Sequence, residues 1–438
     1  MTTGKLTALT NMRSLLIALA KAMNLINPNM QHHHEQTAYI AYQIGYEMGL
    51  RGDDLNYAVY AALLHDIGAV VSPEVPTVES IEEHEREIAT MGARMIRDLE
   101  GFGEIADIIE ASQNTYIEDD NALAGCESRD ICMDIAQAVH IADFVTSQID
   151  PKERILNQVK RINEAVIAGR NTEFSPKAVD AYLRLSEREY TWMDVALNPS
   201  FLLIFTGEIR EVSLEETVKL TRFMSRIIDF RSSFTAMHSA GVAASARELA
   251  RLAGMTDEEC LMMEIAGNLH DVGKLAVPNE ILEKPGKLTD EEFNIVKEHP
   301  YYTRLILMDV DGFERIADWA GFHHEKLNGN GYPFHLGAER LDLGARIMAV
   351  ADIFSAITEV RPYRAGMTRE RAMAVLKGNV EAGAICGRIV GLLEAHYDEI
   401  DGAREKESRI AGQRYFESLK GTSKNAHRRR TAEFPTRS

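Results

Sequence analysis

Cysteine is scarce in this chain. Four occur in 438 residues, Cys126, Cys132, Cys260 and Cys386. They form no CxxC pair and no framework spacing, which argues against a disulfide-built scaffold or a structural zinc finger. They read as reduced core residues of a cytoplasmic protein. Long apolar runs are also missing. Leu15 to Ala20 and Phe201 to Phe205 are core-sized, far short of the roughly 18 residues of a membrane span. Lys5, Arg13 and Lys21 leave no apolar stretch that would serve as a secretory leader. Basic side chains are in deficit, 48 against 67 acidic ones, for a net charge of −19. That balance argues against a binder of polymeric nucleic acid, whose affinity comes from neutralising phosphates. A small phosphate-bearing substrate stays open, since bound metals supply positive charge locally.

What is present is an ordinary globular composition, 45% hydrophobic and 26% charged. At roughly 150 residues per domain the chain holds two or three domains. Period-two alternation is scarce. Apolar residues at spacings of three and four predict helices over Leu9 to Ile26, Thr37 to Leu50, Ile88 to Leu99, Ala136 to Ile149, Val242 to Leu252 and Ile347 to Ile357. A capping box, Ser213-x-x-Glu216, opens a further run from Val218 to Phe230. Turn-rich pieces lie at Ser72 to Thr77, Lys284 to Thr289 and Asn328 to Pro333. The fold class is all-α.

The organisation follows from an internal repeat. His33 precedes the pair His65-Asp66 by 32 residues, and His238 precedes His270-Asp271 by the same 32. The two sets are in register, since 238 − 33 and 270 − 65 both equal 205. Ala38/Ala243, Ala41/Ala246, Gly49/Gly254, Ala61/Ala266, Leu64/Leu269 and Gly68/Gly273 fall on that offset. Two copies of one helical bundle are expected, over 1–195 and 196–420, with a boundary around Asn198-Pro199. Residues 421–438, with Lys424, Arg428, Arg429, Arg430 and Arg437 against Glu433, read as a basic, disordered tail.

The second copy concentrates hard ligands: His238, His270, Asp271, His299, His323, His324 and Asp352. Any one histidine alone is more often a core or surface residue than a ligand. Five histidines and two aspartates at predicted helix ends of one bundle change that balance. Imidazole with carboxylate suits iron or manganese, and seven donors satisfy two ions that share a carboxylate. A water bridging two such ions loses its proton easily, and the hydroxide suits attack on a phosphodiester. Lys274 would place a point charge near a non-bridging phosphoryl oxygen. The loop His323-His324-Glu325-Lys326-Leu327-Asn328-Gly329-Asn330-Gly331-Tyr332-Pro333 is constrained, with Gly331 permitting positive φ and Tyr332 able to stack on a base.

These residues together resemble the HD-GYP family, the branch of the HD phosphohydrolases that degrades cyclic dinucleotides in bacterial signalling. The match spans about residues 230–400. The resemblance implies an all-helical fold, two iron or manganese ions and hydrolysis of a 3′-5′ phosphodiester. It implies that His238, His270, Asp271 and Asp352 hold one ion and His299, His323 and His324 the other, with Asp271 bridging and Lys274 beside it. Arg361 and Arg364, in the segment Arg361-Pro362-Tyr363-Arg364, become candidates for phosphate contacts beside Tyr332. Two departures stand out. Phe234 occupies the position where family members with a third metal carry glutamate, so two metals are expected. Asn328 replaces the aspartate usual in the loop.

The first copy keeps His33, His65-Asp66 and Asp143, with His84 set against His299. Aligning Ala106-Asp107 with Ala317-Asp318 places Ser112 and Gln113 where His323 and His324 stand, and Ala69 replaces Lys274. A second-metal site is missing there, residual single-metal binding stays open, and a regulatory or structural role in contact with the second copy is expected. Tandem defective HD and intact HD-GYP units are similar to enzymes acting on 3′3′-cyclic GMP-AMP. That ligand is the first expectation for the substrate and cyclic di-GMP the second, cut to a linear 5′-phosphorylated dinucleotide. The alternatives are another HD nucleotide hydrolase and a non-catalytic cyclic-dinucleotide scaffold. A homodimer is left open.

Overall fold

The computed structural model describes residues 9–26, 32–71, 78–97, 99–116, 123, 125–197, 209–230, 237–284, 286–359 and 366–420. Among them the fold is helical almost throughout, and Thr10–Asn11 pairs with Glu211–Val212 as a two-stranded sheet. No helix among the described residues is long and apolar enough to cross a membrane. The described residues divide into two compact units, Asn11–Glu211 and a second that runs from Val212 and takes in Leu9 and Thr10. The division thus falls after Glu211, beyond the expected residue 195. The reason is a backbone ladder: Met12 N donates to the Arg210 carbonyl at 3.0 Å, which keeps residue 210 with the first unit. Asn198-Pro199, Ser72 to Thr77 and the tail lie outside the described residues.

The first unit contains α1 (Met12–Asn24), α2 (His33–Met48), α3 (Asp53–Leu64), α4 (Val78–Ile96), α5 (Gly103–Ala111), α6 (Arg129–Ser147), α7 (Ile155–Ala168), α8 (Pro176–Ser186) and α9 (Glu189–Leu197). Helix α2 packs against α3, α6 and α8. It stops at Gly49, whose φ of 97° is a left-handed cap that favours glycine. Leu15, Leu19, Ile44, Leu63, Phe102, Phe174 and Tyr182 fill the interior.

The second unit contains α10 (Leu214–Phe230), α11 (His238–Leu252), α12 (Asp257–Leu269), α13 (Asn279–Leu282), α14 (Asp290–Val296), α15 (His299–Met308), α16 (Glu314–Gly321), α17 (Leu343–Thr358), α18 (Arg369–Glu381), α19 (Gly387–Ala395) and α20 (Tyr397–Lys420). The Ser213–Glu216 capping box opens α10: Ser213 N donates to the Glu216 carboxylate and Glu216 N to the Ser213 hydroxyl. Thr256 and Glu259 cap α12 in the same way. Helix α11 packs on α12, α17 and α20. Trp319 is wholly buried, and full burial of a large apolar side chain stabilises a fold by about 1.5–3 kcal/mol. Its indole N–H reaches the Asp342 carboxylate at 2.9 Å, and Asp342 also caps α17 by accepting from Ala345 N. Gly344 is required there, since a Cβ would overlap the indole.

Helices α2 and α11 begin four residues before the expected starts at Thr37 and Val242. Their first turns carry polar side chains in place of the apolar stripe, so periodicity does not register them. Cys132 and Cys260 are buried as expected of core residues, whereas Cys126 and Cys386 are half-buried.

Candidate metal centre

Seven side chains from separate elements of the second unit converge. His238 opens α11, His270 and Asp271 follow α12, His299 opens α15, His323 and His324 follow α16, and Asp352 lies inside α17. They form adjoining groups, His238/His270/Asp352, His270/Asp271/His323 and His299/His323/His324, each with donor atoms within 4.8 Å of one another. His238 Nε2 lies 3.1 Å from Asp352 Oδ1, and His299 Nε2 lies 3.2 Å from His323 Nε2. Asp271 stands between the groups. Its Oδ2 is 3.2 Å from His270 Nε2, and its Oδ1 is 3.4 Å from His299 Nε2. His324 Nδ1 faces Asp352 Oδ2 at 3.8 Å.

The rings are aimed by the backbone. Nδ1 of His270 bonds to the Gly267 carbonyl at 2.8 Å, that of His299 to Val296 at 2.6 Å and that of His323 to Ala320 at 2.6 Å. Each carbonyl belongs to the residue three before, so the turn itself fixes Nδ1–H and leaves the Nε2 lone pair facing inward. Thr303 ties the set together by donating to the His270 carbonyl at 2.9 Å and accepting from Gly273 N at 3.0 Å. Gly273 allows this approach, because a Cβ would overlap the His299 carbonyl.

The site is buried and charged. Burial alone would raise the Asp271 carboxyl, but the His270 ring and the Lys274 ammonium outweigh it and hold it well below the usual range. Burial pushes His299 down to about 3 and His323 to about 4, so both rings are neutral. Two buried atoms, His270 Nε2 and Asp271 Oδ1, make no hydrogen bond. Leaving such groups unsatisfied is costly, and neutral imidazole nitrogens with carboxylate oxygens are the donors a first-row cation takes. The residues therefore fit a metal.

Lys274 lies on the more open side, its Nζ 2.5 Å from Asp271 Oδ2. His324 is half-buried, and the Tyr332 ring lies 4.8 Å from it. The loop between them is folded by Glu325, whose carboxylate accepts from Phe334 N at 2.7 Å and Leu336 N at 2.8 Å. Gly329, with φ 75°, and not Gly331, takes the left-handed conformation. Gly331 is needed for space, since a Cβ there would overlap the Glu325 and Lys326 backbone. Asn328 both donates to the Ala382 carbonyl at 3.0 Å and accepts from Asn330 N at 3.1 Å; a carboxylate could not make the first bond. Phe234, Arg361 and Arg364 lie outside the described residues.

Sequence reasoning missed Thr303 and, beside the ligands, Glu359. Glu359, at the C-terminal end of α17, is buried with its carboxylate 3.6 Å from His238 Nδ1. Together with Asp352 it holds the His238 ring up at about 10 against the effect of burial. No spacing rule links residues 238 and 359, so only the fold reveals the pair.

The first unit repeats half of this arrangement. His33, His65 and Asp143 cluster, with His33 Nε2 and His65 Nε2 each 3.2 Å from Asp143 Oδ1. His65 Nδ1 bonds to the Ala62 carbonyl at 2.7 Å, as His270 does to Gly267. The other half differs. A Cβ on Gly68 would overlap the Ile88 carbonyl, as one on Gly273 would overlap that of His299, so Ile88 stands in the His299 position. His84 does not take that place; it is exposed, four residues earlier, at a kink in α4. Ser112 bonds to the carbonyl of Ile109, three residues before, as His323 does to Ala320.

Comparison with known proteins agrees with this layout. Models of the HD domain match residues 30–157 and 222–383. A 3′3′-cGAMP-specific phosphodiesterase of Vibrio cholerae is 26% identical over 87% of this chain and 91% of its own length. A cyclic di-GMP phosphodiesterase of Pseudomonas aeruginosa is 43% identical over 32% of this chain and 34% of its own. Among solved structures, a cyclic GMP-AMP specific phosphodiesterase of V. cholerae superposes with a TM-score of 0.63 at 23% identity, covering 89% of this chain and 98% of that one. These matches bear out the resemblance read from the motifs and the all-helical tandem fold.

Proposed function

This chain carries two HD domains in tandem, and we propose that the second is a metal-dependent phosphodiesterase acting on a 3′-5′-linked cyclic dinucleotide. 3′3′-cyclic GMP-AMP is the favoured substrate and cyclic di-GMP the next. The observation that carries this reading is Asp271, which turns one carboxylate oxygen to each of two adjoining histidine groups. His238, His270, Asp271 and Asp352 would hold one iron or manganese ion, and His299, His323 and His324 the other. Two such ions supply Lewis acidity at the phosphoryl oxygens and an acidified water at neutral pH.

The chain's own residues do the rest. Lys274 holds its ammonium against Asp271 Oδ2 on the open side, where it offsets charge on a non-bridging oxygen. Tyr332 presents a ring beside His324 on which a base can stack. Arg361 and Arg364 are candidates for the second phosphate. Water adds across one P–O3′ bond; the oxygen leaves as the 3′ hydroxyl and the phosphate stays on the 5′ side. The ring opens to a linear 5′-phosphorylated dinucleotide. The first domain, with Ile88, Ser112 and Gln113 in place of the second histidine group, serves as a regulatory or structural partner.

The test is to incubate metal-loaded full-length protein with a panel of cyclic dinucleotides and follow product masses. The expected result is fastest loss of 3′3′-cyclic GMP-AMP with a product heavier by one water. Protein holding two ions per chain that leaves every cyclic dinucleotide intact would instead favour the scaffold reading.

A further inference from the structure

A second kind of donor cluster lies in the first unit, away from the histidines. Cys126, Cys132 and Glu104 place two sulfurs and a carboxylate oxygen within 4.8 Å of one another. The three come from different pieces of chain. Glu104 is in the first turn of α5, Cys126 precedes the Ser128 cap of α6, and Cys132 is buried at the end of the first turn of that helix. The Glu104 carboxylate is held in place by the Glu127 N–H at 2.8 Å. The Cys126 and Cys132 sulfurs lie within 4.8 Å of each other.

From this convergence we propose that Cys126, Cys132 and Glu104 bind Zn²⁺ as a clamp between the N-terminal turns of α5 and α6. Two thiolates and a carboxylate are donor types that zinc accepts. As the cation binds, the two thiols release their protons to solvent. A disulfide would use only the two sulfurs, whereas a cation would engage the carboxylate beside them as well. Cys260 and Cys386 belong to the other unit and, among the described residues, to no such group.

The experiment uses full-length protein, stripped of metal under reducing conditions and titrated with Co²⁺. Thiolate-to-cobalt charge-transfer absorption in the near ultraviolet reports this site alone, because imidazole and carboxylate donors give none. The band should rise to saturation as Co²⁺ is added, and Zn²⁺ should abolish it. C126S and C132S should each lose it, C386S should keep it, and E104Q should weaken zinc binding at least about tenfold with the band retained. Three results overturn the proposal: no band in reduced wild-type protein, a band that survives both C126S and C132S, or E104Q binding zinc as tightly as wild type. Wild-type protein alone settles the first of these, so a variant that fails to fold does not shield the idea.

Discussion

Gln113 donates its side-chain amide to Asp143 Oδ2 over 3.0 Å, where the second unit sets His324 Nδ1 against Asp352 Oδ2 at 3.8 Å. A hydrogen bond within the protein thus occupies the carboxylate oxygen that would otherwise face a ligand histidine. Ser112 and Ile88 complete the loss of the second donor group. S112H/Q113H is therefore expected to leave metal content per chain unchanged, and only the triple variant with I88H should add an ion. Elemental analysis of the purified variants checks this; a gain in the double variant would mean that Ile88 does not occupy a ligand position.

The two HD pairs should differ in consequence. H270A/D271A removes the carboxylate that faces both groups and should abolish hydrolysis, a loss beyond the roughly 10²–10³-fold of a single electrostatic donor. H65A/D66A should leave measurable turnover. Initial rates with 3′3′-cyclic GMP-AMP decide it, and equal losses in both variants would place the working centre elsewhere.

Chelation should remove both turnover and stability. A ligand that binds only the folded state at a hundredfold excess over its dissociation constant stabilises by about 2.7 kcal/mol. Stripped protein should melt at a lower temperature, and iron or manganese should restore activity at about two ions per chain. Unchanged melting after stripping would argue that the histidine cluster holds no metal.

Glu359 should act through His238. Loss of an outer carboxylate partner typically costs about 10–100-fold in metal affinity. E359A should show that weakening, and E359Q, which keeps an acceptor oxygen, should recover much of it. Competition titration against a chromogenic chelator separates the variants. Equal affinities for E359A and wild type would show that His238 is oriented by something else.

Gly273→Ala should destabilise the second unit by about 1–3 kcal/mol, since its Cβ would overlap the His299 carbonyl. Gly68→Ala should do the same to the first unit without lowering activity per folded molecule. Denaturant melts with parallel rate measurements would reveal a mistake if Gly273→Ala proved neutral.

Much of this was legible in the residues because the ligands repeat at fixed separations and the helices alternate apolar and polar faces. What was not legible depended on chain geometry. The repeat holds without gaps only as far as Gly68 and Gly273; beyond that, 20 positions lead from Gly68 to Ile88 but 26 from Gly273 to His299. Insertion in a connecting segment breaks register, so sequence alone does not show that Ile88, and not His84, corresponds to His299. Glu359 and Thr303 escaped notice because long-range contacts obey no sequence spacing. The same limit hid the meeting of Glu104 with the two thiols. At Gly331 close backbone approach, and not a positive φ, demands glycine, and such an approach leaves no mark in sequence.

The carbonyls that steer His65, His270, His299 and His323 belong to the helix ends rather than to any dedicated partner, and Ser112 still uses the same kind of anchor. Orientation is thus inherited with the backbone, while chemistry resides in replaceable side chains. A duplicated copy of this bundle can give up its reaction through a few point changes and remain a sound building block, free to be recruited for other work.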